Sequence, residues 1–211
     1  MTTLLGRAAA EPLDVAVEPY RGAARSGALG TVAGQAVEEG GRPGEPHRPL
    51  DALAVTLVPR SPALLAKFDG IRRRAREGDR AYRTSAPALV EARRVYERAL
   101  SDAGAGELVR FTAGGPDGTF EVAGLPAGQW LLIAERAVFV ERPGPAPSKR
   151  EREIYVPTPR LKGYYTVTVW LRELTVAAGR MEHVELNDRN AWMIAISEDR
   201  RDTGAEPAPR R

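Results

Sequence analysis

The chain has 211 residues, 43% of them hydrophobic, and no cysteine. That length suits one domain with a sizeable core, and the missing thiols exclude disulfides, thiolate catalysis and Cys-ligated metals. Lys and Arg number 31 against 28 Asp and Glu, a net charge of +3, too small and too dispersed to mark a nucleic-acid partner. No apolar run approaches the roughly 18 residues of a membrane span.

Residues 1–28 read as an extended N-terminal arm, with Leu13–Val17 as a short strand within it. Leu4-Leu5 is too short for the apolar core of a signal peptide. Ala8-Ala9-Ala10-Glu11-Pro12 nevertheless looks like the far side of a small-residue cleavage site, which favours an exported protein. A first strand is expected at 29–37, a loop rich in Gly and Pro at 38–49, and a second strand at 51–59. Residues 61–104 then switch to helical periodicity. Ser61-Pro62 is a helix start, followed by Leu64, Leu65, Phe68, Ile71 and Ala75 on one stripe, with Gly78 as the stop. A second start at Ser85-Ala86-Pro87 leads Leu89, Ala92, Tyr96, Ala99 and Leu100, and Gly104 closes the helix. The two form a helical hairpin inserted at an edge or end of a β structure.

Strands follow at 107–113, 118–123 and 128–140. Asp117-Gly118 is a hairpin-type reversal, because Gly takes positive φ without steric cost, and Leu125-Pro126-Ala127-Gly128 is a second turn. Between and after these turns, Phe120/Val122 and Trp130/Leu132/Ala134 alternate with more polar residues, the period-2 mark of strands packed on one face. Residues 141–162 carry Pro143, Pro145, Pro147, Pro157 and Pro159, an excursion that cannot lie in a central strand. A long strand at 163–176 places Tyr165, Val167, Val169 and Leu171 on one face and Tyr164, Thr166, Thr168 and Trp170 on the other. Strands at 181–187 and 191–197 close the sheet, and 198–211 is a polar tail.

The stretch from Asp117 to Ala134 resembles the core motif of carboxypeptidase-regulatory-like domains, which are transthyretin-like (prealbumin-like) β-sandwiches. Gly30–Val37 resembles the family's opening strand, Leu53–Pro59 its second strand, and Ala178–Leu186 its closing strand entered through a Gly turn. The resemblance spans about half the chain. It implies a mainly β fold, an antiparallel transthyretin-like β-sandwich of about seven or eight strands, here with an inserted α-helical hairpin. The 61–104 insertion departs from the family pattern. The sandwich at 29–197 is expected to face Val55, Leu57, Phe120, Val122, Trp130, Leu132, Val167 and Val169 inward. Domains of this kind are mostly non-catalytic, and relatives commonly work in the periplasm or at the cell surface; the cytoplasm stays open for this chain.

Catalytic patterns find no support. His47 and His183 are the two histidines, far apart in sequence, without the His-x-His of intradiol dioxygenases. The chain closes on Pro209-Arg210-Arg211, without the Tyr-Arg-Gly-Ser tail of transthyretin-like hydroxyisourate hydrolases. It has no Gly-x-Ser-x-Gly elbow and no phosphate-cradling Gly loop. Neither a cofactor nor a metal is expected. The run Arg72-Arg73-Arg74-Ala75-Arg76 reads either as a patch for an anionic partner or as a solvated helix face neutralised by Asp69, Glu77 and Asp79. Its consecutive arginines point in different directions around a helix. The second face of the 163–171 strand needs cover, from the inserted hairpin, the Pro-rich excursion or a partner, and cover from within the chain is preferred. The reading is a non-catalytic protein-binding or scaffolding module, an accessory subunit of a larger assembly that could be membrane-associated. Candidate contact residues are Arg72, Arg73, Arg76, Tyr155, Tyr164 and Trp170. The alternative is a carbohydrate- or cell-surface-binding module with Trp170, Tyr155 or Trp192 as a stacking platform for a glycan.

Overall fold

The computed structural model describes residues 13–39, 46–141 and 160–201. Among them nine strands form two sheets: β1 (Leu29–Glu38), β2 (Arg48–Pro49), β3 (Leu53–Pro59), β4 (Arg110–Ala113), β5 (Thr119–Pro126), β6 (Gly128–Glu141), β7 (Arg160–Val176), β8 (Met181–Asn187) and β9 (Met193–Arg201). The first sheet centres on β1, with β8 on one edge and β5 and β2 sharing the other. The second runs β4-β3-β6-β7-β9. Pairing is antiparallel except for β1 with β8, which is parallel. The β-sandwich is therefore present, with one mixed sheet.

Both glycine-bearing corners do something other than close a hairpin. β4 and β6 lie in the second sheet while β5, between them, lies in the first, so each corner carries the chain across the sandwich. Gly118 sits at φ +75°, and a Cβ there would collide with the carbonyl of Ala36, so only glycine fits the first corner. Asp117 stiffens that corner by accepting from the backbone N–H and the hydroxyl of Thr119 (3.1 and 2.7 Å), and these bonds hold its carboxyl below the usual range.

The second sheet is buried on both faces. In β6, Trp130, Leu131, Leu132, Ile133 and Ala134 are all fully buried, and in β3 so are Val55, Leu57 and Val58. One face meets the first sheet through Val32, Phe120, Val122, Leu125 and Leu186. The other meets the insertion, made of α2 (Pro62–Arg74), α3 (Asp79–Arg83) and α4 (Ser85–Asp102), followed by a 3-10 turn at Gly106–Leu108. The hairpin buries Leu64, Phe68, Ile71, Leu89, Ala92, Tyr96 and Leu100, so the layers are sheet, sheet, helices. Gly104 ends α4 at φ +69°, with Ala105 N–H on the Leu100 carbonyl. Gly78 is extended and does not cap α2, which stops at Arg74.

Four further expectations change. The arm is not extended throughout: α1 (Glu18–Arg25) forms, and Tyr20 packs edge-on against Trp130 (5.4 Å) with its hydroxyl donating to the Gln129 carbonyl. Val167 and Val169 face the helices rather than the first sheet. Val169 is registered with Glu135, which pairs with Arg93 of α4, whereas its neighbour Trp170 donates to the Asn187 carbonyl of β8 (2.7 Å). Alternation alone cannot say which face meets which layer when both are buried. The last strand runs on to Arg201, and the 141–162 excursion narrows, since 141 belongs to β6 and 160–162 to β7. Residues 142–159 and 202–211 lie outside the described residues.

Candidate functional site

Where the end of α2 meets α3 and the start of β9, Arg72, Ala75, Arg76, Tyr82, Trp192, Met193 and Ile194 line a groove of about 230 Å³. The helical stripe Leu64, Phe68 and Ile71 turns inward, which leaves Arg72 on its flank and Arg73 and Arg74 on the solvent side. The chain continues in helical form past Arg74, with Ala75 N–H on the Ile71 carbonyl and Arg76 N–H on that of Arg73. Arg76 therefore follows Arg72 by one turn along the same wall. Trp192 is fixed from the other side, its backbone N–H donating to the Val169 carbonyl (2.9 Å). Phe68 lies 6.2 Å from its ring, tilted 45°, and the Arg72 guanidinium stands 5.1 Å over the ring. Ile194, 53% exposed, opens the groove onto the edge strand of the second sheet.

The hydrogen-bonding balance of this groove is one-sided. Among the described residues, Arg72, Arg73 and Arg76 make no ion pair with Asp69, Glu77, Asp79 or any other acid. The Trp192 indole N–H and the Tyr82 hydroxyl likewise have no hydrogen bond among the described residues. Two guanidiniums, an indole and a phenol thus offer donors without a carboxylate among the lining residues.

Of the expected contact residues, the structure brings Arg72 and Arg76 together and adds Trp192 beside them. Arg73 is exposed on the adjoining surface. Tyr164 is half-buried in β7 opposite Val140 and Glu198, well along the strand from the groove. Trp170 is corrected: at 1% exposure, with its N–H bonded across the sandwich, it is a core residue that no partner reaches. Tyr155 lies outside the described residues. Sequence reasoning missed Tyr82, Met193 and Ile194, whose only signal was proximity to Trp192 and to the end of the helical stripe.

A larger, open groove of about 860 Å³ lies on the first sheet. Its lining includes Ala33, Gln35, His47, Glu121, His183 and Glu185. Both histidines therefore share one surface, which their sequence separation hides. Among the described residues no three His, Asp or Glu side chains sit close enough to hold a metal ion. The carboxyl of Glu135 is held above its usual range, first by burial, with Arg93 lowering it and Glu97 raising it. It lies between α4 and β6, paired with Arg93 at 3.5 Å, and belongs to the helix–sheet contact rather than to a cleft.

No protein-family model matches the chain, and no curated protein does. Solved structures that are similar to it include the following two. A candidate carbohydrate-binding protein from Pseudomonas aeruginosa is 15% identical over 84% of this chain and 99% of its own, with a TM-score of 0.42. The pilus backbone protein of Streptococcus pneumoniae is 14% identical over 49% of this chain and 30% of its own, with a TM-score of 0.22. At these scores neither likeness assigns a family or a function. The resemblance to carboxypeptidase-regulatory-like domains rests on the residues quoted for it.

Proposed function

We propose that the protein is a non-catalytic binding module that docks another protein at the groove between α2, α3 and β9, as an accessory subunit of a larger assembly. The observation that carries this reading is the pairing of solvent-facing donors that make no hydrogen bond among the described residues with a small apolar lining at the edge of a sheet. A groove of about 230 Å³ is below the usual range for small-molecule pockets but accommodates a side chain or two of a partner. Aromatic and Arg anchors are the residues that carry most energy in protein interfaces.

The glycan alternative needs an indole or phenol face free for stacking. Trp130 and Trp170 are buried, and Trp192 has Arg72 over its ring and Phe68 beside it, so none of the three indoles offers an open face; the exposed ring pair among the described residues is Phe139 with Tyr165, on β6 and β7. An exported location fits a binding module of this kind. No helix among the described residues is long and apolar enough to cross a membrane.

Site-specific photo-crosslinking tests the reading. A benzoylphenylalanine at Ile194 should give a discrete adduct in native extract, with a single crosslinked partner identified by mass spectrometry. The same group at Phe111, more exposed still and on β4 at the opposite edge of the sheet, should give none. Indistinguishable patterns from the two positions would sink the docking site, as would retention on alginate or heparin resin lost with Trp192→Ala.

A further inference from the structure

The backbone spacing of Arg72 and Arg76 says what kind of segment fits. Arg72 and Arg76 are four residues apart on a helical path, a rise of about 6 Å. Alternate residues of an extended chain are about 6.6–6.8 Å apart and point to the same side. A helix wall with arginines one turn apart is thus in step with an extended segment bearing acids at every second position. The apolar lining beside them, Ala75, Met193 and Ile194, accepts one aliphatic side chain. The lining holds no carboxylate that would compete for the guanidiniums, and the Trp192 N–H and Tyr82 hydroxyl remain as donors to the segment's carbonyls.

Resting on the docking reading above, we infer that the groove recognises an extended acidic peptide segment of the form acid-x-acid with an aliphatic neighbour. The two carboxylates meet Arg72 and Arg76, and the aliphatic side chain enters between Ala75 and Ile194. Charge-assisted bonds of this kind are about twice as strong as neutral ones. The open surface lets salt weaken them.

Calorimetric titration of the full chain with synthetic acetylated peptides tests this. The probe is Ala-Leu-Ala-Glu-Ala-Glu-Ala; the controls carry Lys at both acidic positions, or the two Glu side by side. The probe should bind, more weakly at higher salt, and Arg72→Glu/Arg76→Glu should lower its affinity at least about tenfold (1.4 kcal/mol). The charge-matched Arg73→Glu/Arg74→Glu, outside the groove, should not. Arg72→Gln/Arg76→Gln, checked for an unchanged melting temperature, separates lost contacts from lost folding. No binding at millimolar probe, equal binding of the side-by-side control, or equal loss in both charge-reversal variants overturns the acidic-segment inference. If the Ile194 crosslink survives in that case, the docking reading stands without it. If instead alginate binds and the crosslink is absent, both fall.

Discussion

Trp170 spans the sandwich with a single hydrogen bond. Its ring is buried and its indole N–H donates to the Asn187 carbonyl at 2.7 Å, tying β7 of one sheet to the end of β8 in the other. Phe at this position keeps most of the apolar volume but leaves that carbonyl unpaired, which costs about 1–3 kcal/mol. Trp170→Phe should therefore lower the urea midpoint with an unchanged slope, by about 2 kcal/mol; a loss under about 0.5 kcal/mol would place the energy in the ring alone. Glu135 gives a pH signature. Burial makes its carboxyl harder to ionise in the folded protein than in the unfolded chain. Folding therefore favours the protonated form, and Glu135's contribution to stability falls as pH rises from the unfolded value, about 4.3, through the raised folded one. Glu135→Gln has no proton to lose. The difference in unfolding free energy between wild type and variant should shift in favour of the variant across that window and then level off. A flat difference would show that Arg93 offsets the whole burial cost.

Helix α2 shows how an element is fixed by something outside it. Ser61 is fully buried at the N-cap; its hydroxyl oxygen accepts from Leu64 N–H (2.9 Å) and donates to Asp14 (2.7 Å), whose other oxygen accepts from Ala63 N–H (2.7 Å). The arm is thereby clipped to the insertion. Ser61→Ala should cost about 1–2 kcal/mol. Asp14→Ala should cost less, and the two should be non-additive by about 0.5 kcal/mol or more in a double-mutant cycle, since they share one network. The cap was readable as Ser61-Pro62 because capping is local chemistry, and so were the stripes of α2 and α4 and the alternation in β5 and β6. Helix α1 was not: eight residues with Gly22 inside have little intrinsic helicity. It exists because Tyr20 docks on Trp130, a contact 110 positions away in the chain. For the site, Arg72, Arg76 and Trp192 were individually visible as unusual residues. Their meeting was not, because it depends on β9 returning beneath the insertion.

The insertion is better described as a third layer than as an attachment. The helix-facing side of the second sheet carries Val58, Leu131, Ile133 and Val169, all buried, with Thr56 accepting from Arg93 of α4 at 3.2 Å and the Tyr96 hydroxyl donating to the Pro59 carbonyl at 3.0 Å. Uncovering those four apolar side chains forfeits roughly 6–12 kcal/mol at about 1.5–3 kcal/mol each. That equals the net stability of a typical domain, roughly 5–15 kcal/mol. Removing the insertion is sterically simple, because β3 and β4 are antiparallel neighbours with Leu57 opposite Arg110, so a short Gly-Ser loop can join them. A chain with 61–104 replaced by such a loop should bind a hydrophobic dye and unfold without a cooperative transition, although every strand of the sandwich is present. Were the insertion an appendage, the shortened chain would keep a sharp transition within about 2 kcal/mol of the parent. Amide exchange in the intact protein then locates the same dependence: β6, covered on both faces, should exchange slowest, and α4 should open together with it rather than independently, as expected when helix and sheet form one cooperative unit.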